Sequence, residues 1–281
     1  MTLFLIIFFI LVFIMVGVII FDSNRFVIRK IAVYSDKVSS NHDFLFVSDL
    51  HNKTYGKNNA RLLKAIDNIH CEGCFAAGDI ITAVKNKDNA NAVSFMKELS
   101  ERMPVYCSLG NHEYRAKIYQ NIYGDMYDSY YKAIESMNVF WLDNDCLHLN
   151  DVDIYGLTIN RKYYKRFKKI EMEASYINSE LGEADSDRFS VLLAHNPEYF
   201  ENYAKWGADL VLSGHVHGGI ARLPFLGGVL SPKLTLFPKY DGGIFYYDKS
   251  EMILSRGLGA HSIPIRFFNP AELILIHIEK K

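Results

Sequence analysis

Five short motifs rich in histidine, aspartate and asparagine restrict what this chain can fold into more than any other feature of its sequence. They are, in chain order, Asp49-Leu50-His51, Gly78-Asp79, Gly110-Asn111-His112-Glu113, His195 and Gly214-His215-Val216-His217. Each follows a strand-like run of apolar residues, and each carries a hard or borderline metal ligand. The ordered set predicts strands whose ends bring these ligands together.

The ligand types restrict the metal. Carboxylate, imidazole and amide groups without cysteine suit Mn, Fe, Zn, Ni or Mg rather than Cu(I) or an iron–sulfur cluster. On an extended strand end, residues two apart point to the same side, so Asp49 and His51 are expected to hold one ion. His215 and His217 repeat that spacing. Two ions about 3.5–4 Å apart need a shared anionic ligand, and Asp79, alone after a glycine, is the candidate bridge.

The five motifs together resemble the calcineurin-like metallophosphoesterase superfamily, whose pattern is D-x-H, GD-x, GNH-[ED], a lone H and GH-x-H. The resemblance runs from about Phe44 to the C-terminus, and every ligand position is kept. It implies two ligand groups and a bridge: Asp49, His51 and His217 for one metal, Asn111, His195 and His215 for the other, and Asp79 between them. It also implies that Asn111 and His112 contact the substrate phosphate, with His112 as a non-ligand.

The reaction implied is hydrolysis of a phosphoester or pyrophosphate bond by a hydroxide that bridges two divalent ions, with manganese expected first and Fe, Zn, Ni or Mg as alternatives. Asn111 and the metals would orient phosphate oxygens and stabilise developing charge. His112 would donate a proton or a hydrogen bond to the leaving oxygen; its alternative is a purely structural role. For Glu113 and Asn52, next to motif residues, the structural interpretation is favoured.

By the same resemblance, the fold is an α/β, four-layer α/β/β/α sandwich of two mixed β-sheets. Apolar periodicity predicts helices over residues 58–69, 89–102 and 127–137. Strands are predicted over residues 26–34, 44–48, 75–77, 104–109, 139–142, 146–149, 152–157, 189–194, 210–213, 243–247, 252–254 and 273–278. We expect a transmembrane anchor over residues 1–22, a juxtamembrane segment with the first strand over 23–43, and a catalytic domain over 44–281.

Residues 3–21 form an uncharged, almost continuous apolar run, long enough to cross about 30 Å of hydrocarbon as a helix. A basic segment and a small-residue cleavage site, which would indicate a signal peptide, are not visible. The run therefore predicts a single-pass membrane protein, with a buried core helix as the alternative. Arg25, Arg29 and Lys30 follow the run and favour a cytoplasmic catalytic domain, although an extracytoplasmic one stays open. Reduced, partly buried thiols are the preferred interpretation of the four cysteines.

The substrate is less constrained. The net charge of −1 gives no reason to expect nucleic acid as a partner. Residues 218–219, 223–224, 236–240, 255–259, 264–267 and 269–270 resemble a membrane-anchored bacterial branch that includes YkuE-type phosphatases and UDP-2,3-diacylglucosamine pyrophosphatases. A phosphoester substrate that is lipid-linked, such as a UDP-diacylglucosamine-like molecule, is therefore one expectation.

Two segments bear on that expectation, and each has two interpretations. The basic and aromatic residues 161–169 could lie at an anionic membrane surface or form a solvated helix face. Residues 220–237 could present an apolar rim to an acyl chain or form a packed loop and hairpin. If neither segment contacts lipid, a general phosphomonoesterase or phosphodiesterase on soluble substrates is expected equally. A metal-binding interaction scaffold without turnover is the competing class, and a protein Ser/Thr phosphatase is a disfavoured rival.

Overall fold

The computed structural model describes residues 1–165, 168–223, 226–230, 236–260 and 265–281. The helices are α1 (Thr2–Ser23), α2 (Ala60–Asp67), α3 (Ala90–Ser100), α4 (Asn111–Ile118), α5 (Gln120–Tyr123), α6 (Met126–Ile134), α7 (Tyr176–Leu181) and α8 (Phe200–Trp206). The strands are β1 (Phe26–Ser35), β2 (His42–Val47), β3 (Gly73–Ala77), β4 (Val105–Ser108), β5 (Val139–Trp141), β6 (Asp145–Leu149), β7 (Val152–Leu157), β8 (Phe189–Ala194), β9 (Leu210–Ser213), β10 (Ala221–Leu223), β11 (Gly227–Leu230), β12 (Gly243–Tyr247), β13 (Ser250–Leu254) and β14 (Ala271–Lys280).

Most of these strands belong to two mixed sheets. Within the described residues, sheet 1 has the order β1-β14-β2-β3-β4-β5 and sheet 2 has the order β12-β13-β9-β8-β7-β6. In sheet 1, β2, β3, β4 and β5 run parallel and β14 pairs antiparallel with β2. In sheet 2, β7, β8, β9 and β13 run parallel, while β6 and β12 close the edges in the antiparallel sense. The predicted fold class is confirmed.

The alternation of side chains along β2 shows how the layers form. Phe44 and Phe46 point inward and pack with apolar residues of sheet 2, because successive side chains of a strand lie on opposite faces. Leu45 and Val47 point outward and pack with residues of α2, α3, α4 and α6. The outer face of sheet 2 is covered by α7 and α8. Each fully buried side chain of this size contributes about 1.5–3 kcal/mol, so the intersheet layer fixes how the two sheets face each other.

The observed boundaries of the elements differ most from the predicted ones where polar residues interrupt a helix. The helix predicted over residues 58–69 begins as an α-helix only at Ala60, because Asn58 and Asn59 adopt positive φ values of 51° and 60° in a short 3-10 turn. Side chains with an amide group tolerate that left-handed conformation better than most. Helix α4 was not predicted, and it begins at Asn111 within one of the five motifs.

The motif residues follow strands whose carboxyl ends share one edge of the sandwich. Strands β2, β3 and β4 end at Val47, Ala77 and Ser108, with at most one residue before the first three motifs. Strands β8 and β9 of sheet 2 end at Ala194 and Ser213, directly before the last two. Parallel neighbours present their carboxyl ends on the same side, so both sheets deliver ligands to the cleft between them.

Helix α1 stands apart from these layers. Its 22 residues have a mean hydropathy of 3.5 over their most apolar window, and that window is not buried against the rest of the protein. By length and composition it can cross a membrane, and it is the one helix with that property in the part of the chain described. Strand β1 follows it and pairs with β14 along its full length.

Candidate metal centre

The predicted ligands meet at the carboxyl edge. Among the described residues, three groups of side chains place potential ligand atoms within 4.8 Å of one another. The groups are Asp49 with His51 and His217, His51 with Asp79 and His112, and Asp79 with His195 and His215. All of the predicted aspartate and histidine ligands are therefore brought together, and His112, predicted as a non-ligand, lies among them.

Two buried carboxylates form the middle of the cluster. The Asp79 Oδ2 atom lies 3.1 Å from His195 Nε2 and 3.7 Å from His51 Nε2. The Asp49 Oδ1 atom lies 3.6 Å from His217 Nε2 and 3.8 Å from both His51 Nε2 and His195 Nε2. Atoms that share an ion at about 2.1 Å each are at most about 4 Å apart, so the spacing fits shared cations.

Asn111, the remaining predicted ligand, lies in the first turn of α4. Its side chain is buried, and Asn111 Oδ1 accepts no hydrogen bond from any residue that the structure describes. Leaving a buried acceptor unsatisfied costs about 1–3 kcal/mol, which a bound cation would offset. Together with the carboxylates and imidazoles, this amide oxygen fits a pair of divalent ions.

Asp49 is held in place by its neighbours. Ser48 Oγ donates to Asp49 Oδ2 at 2.7 Å, and the backbone N–H of His215 lies 3.1 Å from both carboxylate oxygens. A Cβ atom at Gly214 would stand 2.2 Å from Asp49 Oδ2, a distance that no side chain allows. The glycine before His215 therefore permits sheet 2 to approach the Asp49 carboxylate of sheet 1.

Glu113 fixes the turn that carries Asp79. The buried Glu113 carboxylate accepts hydrogen bonds from the backbone N–H groups of Asp79 at 2.8 Å, Ile81 at 3.0 Å and Gly110 at 3.1 Å. Burial, reinforced by the charge of Asp79, raises the pKa of Glu113 to about 7. The structural role expected for Glu113 thus takes a definite form: it joins the second and third motifs.

The backbone around the ligands is left-handed rather than extended. Positive φ values occur at Asp49 (50°), His51 (49°), Asp79 (55°), His215 (74°) and His217 (53°). Asp49 and His51, like His215 and His217, were expected to share a side because each pair continues an extended strand. That reason was wrong, because the chain curls around the cluster instead. Non-glycine residues in such regions cost of the order of 1–3 kcal/mol each and persist where surrounding contacts impose them, commonly at functional sites.

Two imidazoles of the cluster are oriented in opposite ways. His195 Nδ1 lies 2.7 Å from the backbone oxygen of Ala77, so Nδ1 carries a proton and Nε2 faces Asp79 Oδ2 at 3.1 Å. His112 Nδ1 instead accepts from the backbone N–H of Ala83 at 2.9 Å. A neutral His112 ring therefore keeps its proton on Nε2. The first arrangement is typical of a metal ligand, and the second of a hydrogen-bond donor.

The charges of the cluster are strongly coupled. Burial acts to lower the pKa of His195, but the charges of Asp79 and Asp49 outweigh it and raise that pKa to about 10. Burial acts to raise the pKa of Asp79, yet the nearby His195 and His112 hold it well below its usual range. Cations compete with protons for such a site, so metal binding is expected to release protons.

Comparison with known proteins agrees with this geometry. The family model described as calcineurin-like phosphoesterase matches residues 42–219, which is more than half of the chain. The chain belongs to the calcineurin-like phosphoesterase family. The matched region contains all five motifs and the strands that precede them.

Three similar members of the family are bacterial. A metallophosphoesterase of Helicobacter pylori is 24% identical over 261 residues, which cover 90% of this chain and 64% of the relative. The metallophosphoesterase YkuE of Bacillus subtilis is 27% identical over 72% of this chain and 66% of the relative. The UDP-2,3-diacylglucosamine pyrophosphatase LpxG of Chlamydia muridarum is 23% identical over 82% of this chain and 81% of the relative. The chain thus spans just under two thirds of the first two relatives.

Two further residues contact this phosphoesterase cluster without having been predicted there. The ring of Tyr164 lies 5.4 Å from that of His215. Asn269 is fully buried, and its Nδ2 donates to the backbone oxygens of His217 at 2.8 Å and Gly219 at 2.7 Å. Tyr164 belongs to the basic and aromatic segment 161–169, and Asn269 belongs to the tail positions that resemble the bacterial branch. Asn269 lies 52 positions after His217, and the sequence did not place either residue at the cluster.

The two substrate segments are only partly described. Of residues 161–169, Arg166 and Phe167 lie outside the described residues; Arg161–Tyr164 form a 3-10 turn in which Tyr163 is buried. Of residues 220–237, positions 224–225 and 231–235 lie outside the described residues, as do residues 261–264 of the tail. The remainder of 220–237 contains the antiparallel pair β10 and β11, with several apolar side chains exposed.

Proposed function

We propose that this phosphoesterase is a membrane-anchored enzyme that uses two metal ions to hydrolyse a phosphoester or pyrophosphate bond. The main observation in support of the proposal is that two carboxylates lie between several imidazoles. Asp79 belongs to two of the three ligand groups, and Asp49 faces imidazoles from both sheets. A single isolated ion would not need two carboxylates placed between so many imidazoles.

The ligand assignment follows the family pattern. Asp49, His51 and His217 would hold one ion, Asn111, His195 and His215 the other, and Asp79 would bridge them. Divalent ions bound there supply a water-derived nucleophile near neutral pH and offset charge on phosphate oxygens. We propose manganese first, because the donors are oxygen and imidazole nitrogen without thiolate. Glu113, through its three backbone hydrogen bonds, keeps the Asp79 carboxylate aimed at both groups.

His112 is proposed as a hydrogen-bond donor to the leaving oxygen. Its Nδ1 is committed as an acceptor to Ala83, and its backbone N–H donates to Asp79 Oδ1 at 2.7 Å. The ring is therefore fixed with Nε2–H directed into the cluster, where it can donate a hydrogen bond to a leaving oxygen and stabilise its developing negative charge. Its position among the ligand groups would also allow metal contact, but the protonated Nε2 favours donation.

The domain assignment is part of the proposal. We assign residues 1–22 as a membrane anchor, 23–43 as a juxtamembrane segment with the first strand, and 44–281 as the catalytic domain. Strand β1 of the middle segment completes the edge of sheet 1 by pairing with β14, so the anchor is joined to the sandwich without a long linker. The basic residues after α1, Arg25, Arg29 and Lys30, support a cytoplasmic catalytic domain.

A lipid-linked substrate is the finer proposal. Similarity to LpxG extends over most of both chains, and α1 would hold the metal centre near a bilayer. A UDP-diacylglucosamine-like diphosphate is therefore the candidate to test beside simple phosphoesters.

The test is a substrate panel on the full chain in detergent. We expect Mn²⁺-dependent hydrolysis of p-nitrophenyl phosphate or its bis ester, abolished by a chelator and restored by metal. Faster turnover of UDP-2,3-diacylglucosamine than of either chromogenic ester would support the lipid-linked substrate. A folded, metal-loaded protein that hydrolyses none of them would contradict the enzymatic proposal and leave an interaction scaffold.

A further inference from the structure

A cluster of exposed apolar side chains borders the metal centre, and neither the ligands nor the core accounts for it. Six of them form what we call the apolar rim: Leu223, Leu226, Leu236, Phe237, Ile265 and Phe268. Their exposed fractions run from 39% at Ile265 to 66% at Leu236. Single exposed apolar residues are ordinary on a protein surface, but a contiguous group marks an interaction site.

Backbone pairing makes the rim one surface. Strands β10 and β11 form an antiparallel hairpin with Leu226 in its turn. On one side Leu236 bridges to Leu230 of β11, and on the other side Phe267 bridges to Ala221 of β10. The rim residues thus lie in or next to four adjacent extended segments rather than being scattered over the molecule.

The same surface begins where α1 ends. The backbone N–H of Arg266 lies 3.3 Å from Ser23 Oγ, the last residue of the helix. The next residue, Asn24, accepts from Lys53 Nζ at 3.3 Å and from Arg61 at 3.4 Å. If α1 crosses a bilayer, the membrane boundary lies at this point, and the apolar rim adjoins it.

Charge near the helix end suits a lipid surface. Lys53 and Arg61 contact Asn24, and Arg25, which forms an ion pair with Asp22 at 2.8 Å, stacks over the ring of Phe21 at 4.7 Å. Basic residues at the end of a membrane helix are attracted to anionic headgroups, while exposed aromatic and aliphatic side chains insert among the first acyl carbons. A basic cluster beside an apolar group matches a bilayer better than the surface of a second soluble protein.

Short connections lead from the rim to the metal centre. Arg266 donates to the backbone oxygen of Gly259 at 2.5 Å, and the N–H of Gly259 donates to the backbone oxygen of Asp49 at 2.6 Å. Asn269, next to Phe268, binds the backbone oxygen of His217. Hydrogen bonds of residues next to the rim therefore reach the backbone of two of the proposed ligands.

We propose that the apolar rim docks on the same bilayer that α1 crosses, and thereby holds the metal centre at the lipid surface. The substrate class that follows is an amphiphile whose phosphate lies at the headgroup level and whose acyl chains stay in the membrane. This inference rests on the proposed membrane anchor and deepens the proposed function, but its test needs no turnover.

The test measures contact with lipid directly, on the full chain in nanodiscs of phosphatidylcholine and phosphatidylglycerol with bromine on the acyl chains. Tryptophan is introduced by Leu226→Trp and, separately, Phe268→Trp, and the emission of the native Trp141 and Trp206 is subtracted. Phe140→Trp is the matched control, because Phe140 is 40% exposed on β5, at the edge of sheet 1 opposite to β1. Phe21→Trp near the end of α1 is the positive control.

We expect bromine quenching at Leu226→Trp and Phe268→Trp to be at least about twofold that at Phe140→Trp, and to approach that at Phe21→Trp. Thermal unfolding and intact mass of each variant establish that it is folded and retains α1. Quenching at both rim positions equal to that at Phe140→Trp overturns the proposal. Blue-shifted but unquenched emission also overturns it, because protein would then cover the rim. Absence of quenching at Phe21→Trp removes the anchor on which the inference rests, while leaving the phosphoesterase proposal intact.

Discussion

Both ends of the sandwich contain buried histidines beside carboxylates, but the histidine ring nitrogens have different partners at the two ends. At the amino end of β2, His42 lies between two carboxylates, with Nδ1 3.0 Å from Glu72 Oε2 and Nε2 2.9 Å from Asp151 Oδ1. Asp151 belongs to the β6–β7 turn of sheet 2, so His42 ties the two sheets together, beside a cavity of about 180 Å³. Both ring nitrogens contact carboxylates, whose negative charges balance the positive charge of the protonated ring.

At the carboxyl end, two imidazoles of the cluster are held by the backbone through Nδ1. His195 donates from Nδ1 to Ala77, His112 accepts at Nδ1 from Ala83, and each turns Nε2 toward a space shared with Asp79 and its neighbours. The difference indicates that the functional end is identified by ligand atoms that face one common space, and not by the number of charged groups. Paired charges stabilise the fold, whereas convergent donors held by backbone contacts form a binding site.

The strongest way to break this comparison is to change the shared carboxylate. Asp79→Asn keeps the size of the side chain but removes the charge between the two ligand groups, so we predict a loss of about 10³-fold or more in kcat with Mn²⁺. Initial rates with bis-p-nitrophenyl phosphate measure it. The matched control is His42→Gln at the other end, which should keep nearly full turnover; equal losses in the two variants would erase the distinction between the ends.

The next effect concerns His112. With His112→Ala we expect kcat to fall by about 10²-fold or more, and to fall further for alkyl phosphates than for p-nitrophenyl phosphate, because a poor leaving group depends more on a hydrogen bond that stabilises its negative charge. Metal content should stay at the wild-type value. A variant that loses metal in proportion to activity would instead make His112 a ligand.

Glu113 tests whether backbone anchoring of Asp79 matters. Glu113→Gln replaces an acceptor oxygen by an NH₂ group facing backbone N–H donors, so the turn should loosen. We predict metal affinity weaker by about 10–100-fold, with kcat largely restored at saturating Mn²⁺. Titration of activity with Mn²⁺ separates the two parameters, and a kcat that stays low at every metal concentration would argue for direct participation of Glu113 in the reaction.

The smallest effect belongs to the amino end and depends on pH. Burial acts to lower the pKa of His42, but Glu72 and Asp151 outweigh it, so that pKa is raised above 6.5 in the folded state. The stabilisation is therefore fully present below the unfolded value and is lost as pH rises through the folded pKa. Relative to His42→Gln, we expect a larger gain in the free energy of unfolding near about pH 6 than near about pH 9, because the part that depends on the charged ring is lost as pH rises through the folded pKa.

Urea unfolding of the full chain in detergent at the two pH values measures this difference. A stability gap that grows with pH would reverse the assigned sign. Turnover of the variant at neutral pH serves as its control, since the proposed metal ligands lie at the opposite edge of the sheets.

The sequence was sufficient for most strands because their signals are local. Apolar runs ending at glycine or histidine predicted β3, β8 and β9 within a residue or two, while the order of motifs indicated the family and, through that resemblance, the sandwich architecture. The pairing of β1 with β14 could not be read in that way, since 245 positions separate Phe26 from Ala271 and no turn signal connects them. Helix periodicity likewise could not show that Asn58 and Asn59 delay the start of α2.

For the site, ligand identity was predictable and backbone conformation was not. Left-handed residues at Asp49 and His51 arise from contacts with distant segments, such as the close approach of Gly214 and Gly259, which a single stretch of sequence does not contain. The role of Glu113 was similarly hidden, because its hydrogen-bond partners at Asp79 and Ile81 are more than 30 residues away.

Counting metal ions per chain tests the central claim, that Asp79 joins two cation sites, most directly. The full protein would be loaded with Mn²⁺, freed of excess metal and analysed for bound manganese, alongside Asp79→Asn prepared in the same way. The account predicts two ions per wild-type chain and a clear loss in the variant. A folded wild-type protein that binds one ion or none, or a variant that keeps two, would contradict it.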